Sequence, residues 1–132
     1  MNYLVIDLEM CNVPRDYRSR SYKYANETIQ IGAVLLDEEF KRIGTLSQYV
    51  HPEHGVIDPF IQNLTGIRNS QVKKAPRIEE ALLHMIVSIK SMPGAVPTEH
   101  SCFMKSKQRR SVMSGFWILS VKQDGSIIRM YL

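Results

Sequence analysis

Residues 3–11 read Tyr3-Leu4-Val5-Ile6-Asp7-Leu8-Glu9-Met10-Cys11, or YLVIDLEMC. Tyr3 to Leu8 is β-rich and almost continuously apolar, the pattern of a strand buried on both faces. Asp7 and Glu9 are two apart, so on a strand both carboxylates project to one side. Two acids on a buried strand are expensive unless something compensates them. A divalent cation is the usual compensation, and hard oxygen ligands suit Mg²⁺ or Mn²⁺.

Outward from this stretch, residues 11–27 are polar and basic and read as a loop. Within it Tyr17, Arg18, Arg20, Tyr22, Lys23 and Tyr24 interleave cations with aromatics, a mixture able to stack on bases and pair with phosphates. Residues 28–36 (TIQIGAVLL) predict a second strand, with Asp37-Glu38-Glu39 as the turn after it. Residues 40–50 (FKRIGTLSQYV) predict a third. Pro52 ends that strand, and Val56 to Pro59 reads as an extended connection. Pro59 to Gly66 (PFIQNLTG) predicts a short helix with Pro at its start and Gly at its end. Asn69-Ser70 offers a second cap before QVKKA. Pro76 opens PRIEEALLHMIVSIK, in which Ile78, Ala81, Leu82, Met85, Ile86 and Ile89 recur at helical spacing. His84 on that helix reads as a partly buried residue with satisfied nitrogens.

In order and spacing, YLVIDLEMC, NETIQIGAVLLD, QYVHPE, LTGI, QVKKAP and EEAL resemble the DEDD superfamily of 3′–5′ exonucleases. The likeness is to the DEDDh type, ribonuclease T and DNA polymerase III epsilon, and especially to small-RNA and histone-mRNA exonucleases. It covers residues 3 to about 86. The resemblance implies an α/β, ribonuclease H-like exonuclease fold hydrolysing nucleic-acid phosphodiester bonds from the RNA or DNA 3′ end. It also implies a two-metal site using Mg²⁺ or Mn²⁺. By motif position Asp7 and Glu9 are the first two acids, both catalytic and metal-ligating. Met10 and Cys11 line the terminal nucleotide, and Leu64 and Thr65 pack against or bond it. Gly66 in the same LTGI segment can equally cap a helix.

The second half of that pattern is missing. The only acids after residue 86 are Glu99 and Asp124, and five residues after His100 stands Lys105 rather than the Asp of H-x-x-x-x-D. The fold is therefore expected to be incomplete: a three-stranded sheet plus helices, with later strands and helices missing or replaced. The expected organisation is residues 1–86 as the N-terminal part of an exonuclease domain and 87–132 as an atypical basic tail. The tail fits an out-of-frame translation. Met92-Pro93-Gly94 implies ATG-CCN-GGN, and moving back one base forces Ala and allows Trp. Phe103-Met104-Lys105 likewise becomes His or Tyr followed by Glu. At the far end, FWILSV and SIIRMYL flank Lys122-Gln123-Asp124-Gly125 as a β-hairpin.

Composition bounds the alternatives. The chain has 132 residues, 44% hydrophobic and 23% charged, enough for one domain with a core. Its formal charge is +4, but residues 1–86 hold 10 Lys+Arg against 11 Asp+Glu, net −1. Residues 87–132 hold 7 against 2, net +5. The basicity thus belongs to the tail, and a non-catalytic module binding nucleic acid or a partner through that tail is the competing reading. A third reading is a chain that does not fold stably alone, its sheet edge and helix faces uncovered. No secretory pattern or apolar stretch of bilayer length is present, and the two Cys suit a reducing compartment, so a cytoplasmic protein without membrane contact is expected. Cys11, Cys102 and the four His have no zinc-ligand spacing.

Overall fold

In the computed structural model of the chain, residues 2–18 and 23–92 are described in full. Residues 117–121 and 127–131 are described as backbone strands. The first strand, β1 (Asn2–Asn12), is the middle of a five-stranded sheet. It runs antiparallel to β2 (Asn26–Leu36), which in turn pairs antiparallel with β3 (Arg42–Tyr49). On the other side of β1 lies the tail hairpin, β4 (Trp117–Val121) and β5 (Ile127–Tyr131), giving the order β3-β2-β1-β4-β5. The hairpin expected from FWILSV and SIIRMYL is thus formed, although its connecting residues 122–126 lie outside the described residues.

Strand boundaries differ in places from the sequence reading. β1 extends to Asn12 instead of entering a loop at Cys11, because Met10, Cys11 and Asn12 find partners in Thr28, Glu27 and Asn26. The register shifts between Glu9 and Met10, a bulge that no pattern of apolar residues announces. β3 begins at Arg42, not Phe40. Phe40 has φ 60° in the turn closed by Asp37, whose carboxylate accepts from the Glu39 and Lys41 amides at 2.9 Å each. Stacking on Tyr3, with ring centres 4.8 Å apart, helps hold Phe40 in this left-handed conformation.

α1 (Pro59–Thr65) follows its sequence signals. Pro59 opens it, Asp58 accepts from the Ile61 amide at 2.8 Å, and Gly66 closes it at φ 73°. α2 (Asn69–Val72) is capped differently from expectation. Arg68 occupies the cap, its amide donating to the Gln71 side chain at 2.8 Å, while Asn69 donates to the Ile57 carbonyl. α3 (Ile78–Lys90) buries only Ala81 and Met85 fully against Leu4, Ile6, Ile31, Ala33, Leu35 and Val50. Leu82 and Ile86, expected in the core, stay 39% exposed, and Leu83 and Val87 more so. His84 is exposed too, contrary to expectation. It is held at the surface by Gln48 at 3.3 Å and lies 3.8 Å from Glu80.

A second apolar cluster joins Cys11, Ile29, Ile57, Ile61, Ile67 and Val72. It fastens α1, α2 and the loop before them to the far end of β1. Each fully buried aliphatic side chain in these clusters contributes about 1.5–3 kcal/mol. None of the described helices is long and apolar enough to cross a membrane.

Candidate active site

Leu4, Ile6 and Leu8 alternate toward the α3 core, so Asp7 and Glu9 fall on the opposite face of β1. Gly32 is the residue paired with Asp7, so the direct cross-strand partner brings no side chain to that carboxylate. β4 pairs with Asn2 to Ile6 and begins at Trp117, opposite Ile6. Asp7 is thus the first residue of β1 beyond its pairing with β4.

Burial and the neighbouring Asp7 charge, in that order, hold the Glu9 carboxyl above its ordinary value of 4.5. A cation between them would relieve both penalties. Mg²⁺ is commonly held by one or two carboxylates together with waters and substrate phosphates, so Asp7 and Glu9 fit the protein's share of such a site. Among the described residues no group of three or more His, Cys, Asp or Glu side chains is placed to hold an ion.

Beyond Glu9 a pocket is lined by Glu9, Met10, Cys11, Asn12, Asn26, Ile61, Leu64 and Thr65. The structure therefore brings Glu9, Met10, Cys11, Leu64 and Thr65 around one depression, with Asp7 next to Glu9 on the strand. Their exposures differ in kind. Leu64 is 60% exposed on the rim, whereas Cys11 is 1% exposed, a wall of the pocket and not a free nucleophile. Burial first and the Glu27 carboxylate second push the Cys11 thiol up to about 12. The Thr65 hydroxyl donates to the Ile61 carbonyl at 2.8 Å and accepts from the Ile67 amide at 3.1 Å, fixing the end of α1. Helix capping and pocket lining are thus combined in the same LTGI segment.

Three pocket residues, Asn12, Asn26 and Ile61, escaped the sequence reading. Asn26 enters the pocket only because β2 starts two residues earlier than its apolar run. Phe60, 60% exposed, lies one helical turn before Leu64 on α1, and the i, i+4 spacing was the available signal. Of the basic–aromatic loop, Arg20 and Tyr22 lie outside the described residues, as do Glu99, His100, Cys102, Lys105 and Asp124. Arg18 donates to the Val13 carbonyl at 2.9 and 3.1 Å, so its guanidinium holds the loop's own backbone.

The chain matches the exonuclease family of the RNase T type over residues 4–104. It is 39% identical over 90 residues to a DNA polymerase III PolC-type from Caldanaerobacter subterraneus subsp. tengcongensis. That alignment covers 64% of this chain and 6% of the polymerase. Among solved structures it is similar to a full-length 3′-exonuclease, with TM-score 0.54, 28% identity, and coverage of 67% of this chain and 29% of that one. A second similar structure shows 3′-end-specific recognition of a histone mRNA stem-loop by a 3′-exonuclease, again with TM-score 0.54 and 28% identity. It is covered to 30% by 67% of this chain. The chain therefore spans less than a third of the length of each of these relatives.

Proposed function

Because the chain belongs to the exonuclease family, a family of hydrolases, and shares an incomplete form of its ribonuclease H-like fold, we propose that it is the N-terminal part of a metal-dependent 3′–5′ exonuclease domain with impaired catalysis. The observation that carries the reading is the pair Asp7 and Glu9 on one face of β1, just past the stretch that β4 pairs. The pocket of Met10, Cys11, Leu64 and Thr65 adjoins them. When bound, Mg²⁺ or Mn²⁺ would polarise a scissile phosphate and lower the pKa of an attacking water. Asp7 and Glu9 would hold it, the pocket would seat the terminal nucleotide of RNA or DNA, and Leu64 on the rim would pack against its base.

The proposed impairment rests on residues 87–132, which carry no H-x-x-x-x-D to position and deprotonate water. The division at residue 87 and the out-of-frame origin of the tail belong to the same reading and rest on the codons of residues 92–105, although the family match itself runs on to residue 104. An intact H-x-x-x-x-D in the alternative frame of the coding DNA would agree with it, and stop codons there would overturn it. A reducing, cytoplasmic setting is consistent with the free Cys11 thiol.

Purified chain incubated with 5′-labelled single-stranded RNA or DNA and Mn²⁺ should bind the oligonucleotide and shorten it slowly or not at all. Any shortening should vanish in Asp7→Ala. Rapid shortening, or shortening that survives Asp7→Ala, contradicts the reading. The tail's net charge of +5 favours one alternative, a binding module. That alternative predicts salt-sensitive binding that is indifferent to Asp7→Ala and lost on removing residues 87–132.

A further inference from the structure

We propose that the outer face of α3 is a contact between two copies of this chain, packed antiparallel about a two-fold axis. The inner stripe of the helix, Ile78, Ala81, Met85 and Ile89, belongs to the core cluster under it. The outer side carries Leu82 and Ile86, together with Leu83 and Val87, which are 61% and 63% exposed. None of these four belongs to the apolar clusters of the described residues. Their spacing places them on one stripe of a helix, with Glu79 at one end and Lys90 at the other. Between them Met85 points into the core and His84 turns toward Gln48, so Leu83 and Ile86 form the middle of the stripe.

The order of side chains along the stripe identifies what covers it. Glu79 and Lys90, Leu82 and Val87, and Leu83 and Ile86 are each centred on the same point, midway between residues 84 and 85. When two such helices lie antiparallel with these midpoints opposed, Leu83 meets Ile86 of the second copy and Leu82 meets Val87. Glu79 then meets Lys90, and every contact is made twice, as a two-fold axis requires. Apolar pairs fill the middle and opposite charges close both ends, the arrangement of a core with a polar rim. A parallel pair would instead set Glu79 beside Glu79 and Lys90 beside Lys90. Antiparallel packing also opposes the two helix dipoles. A different partner would impose no such symmetry on the stripe.

The contact is small. Glu79 to Lys90 spans about 16 Å at ~1.5 Å per residue. Six side chains per copy are far fewer than the roughly 20–30 residues a side of a standard interface. The dimer is therefore expected to be weak and reversible, forming in the micromolar range.

Glu79 in the first turn and Lys90 in the last also complement the dipole of their own helix. Charge exchange separates that role from the contact between copies. The test is sedimentation velocity of the full chain over a range of concentrations, with circular dichroism alongside. Wild type should pass from monomer to dimer as concentration rises. Leu83→Glu, at an exposed position, should stay monomeric with an unchanged spectrum. Glu79→Lys and Lys90→Glu should each weaken dimerisation about 2- to 30-fold, the range for losing two exposed ion pairs. The double variant Glu79→Lys/Lys90→Glu should restore it, because the opposite charges then meet again across the axis. If the two residues served only their own helix, the double variant would be the worst of the three, both charges opposing the dipole. A wild-type monomer at every concentration overturns the proposal. So does a dimer that persists in Leu83→Glu, or a double variant no better than the single ones.

Discussion

Glu9 holds its proton more tightly in the folded chain than in the unfolded one, since burial and Asp7 both oppose its charge. The sign follows from linkage. Below the ordinary value of 4.5 both states are protonated and the repulsion is absent. As pH rises through the elevated folded value, stability is lost, and the full penalty is present at neutral pH. Glu9→Gln should therefore stabilise the metal-free protein at pH 7, by about a few tenths of a kcal/mol at this partly exposed site. The gain should disappear well below pH 4.5. Melting curves at both pH values check this, and a variant less stable than wild type at pH 7 contradicts it. The acids themselves were legible in YLVIDLEMC because strand periodicity places them on one face. The burial of Cys11 was not, because it depends on a register shift after Glu9 and on the approach of Gly55 from a distant loop.

Short elements position this site, so their caps matter more than their length. α1 has seven residues, too few to be stable alone, and its place on the pocket wall depends on Asp58, Gly66 and burial of Ile61. Asp58→Ala removes the acceptor for the Ile61 amide and should cost about 1 kcal/mol. It should also loosen the Leu64–Thr65 rim. Chemical denaturation together with oligonucleotide affinity measures both, and unchanged stability would show the cap to be dispensable. Pro59 and Gly66 made this helix readable from sequence, and Ala81 and Met85 identified the inner stripe of α3. The cap at Arg68 was not readable, since it depends on Asn69 being drawn away to the Ile57 carbonyl. Nor was the exposure of Leu82 and Ile86, because helical spacing marks an apolar face without saying whether anything covers it.

At the scale of the whole chain, the sheet is built from two unlike parts. Three strands carry the exonuclease pattern, and the tail hairpin lies antiparallel along Asn2 to Ile6 of β1. The hairpin was legible from β propensity and Asp124-Gly125, whereas its position beside β1 is a long-range pairing that sequence does not encode locally. Without it the edge of β1 would be unpaired. Removing residues 117–132 should lower the melting temperature and promote aggregation, measured by calorimetry and light scattering. A monomer with unchanged melting would mean that the first three strands and the helices suffice. Two carboxylates on the central strand of this antiparallel sheet should hold a divalent ion weakly. The most direct test is Mn²⁺ binding by electron paramagnetic resonance. Free Mn²⁺ should fall on titration with wild-type protein and recover in Asp7→Asn and Glu9→Gln, with circular dichroism measured alongside to check that both variants fold. Equal binding by all three proteins, or none by the wild type, would contradict the assignment of Asp7 and Glu9 as a metal-holding pair.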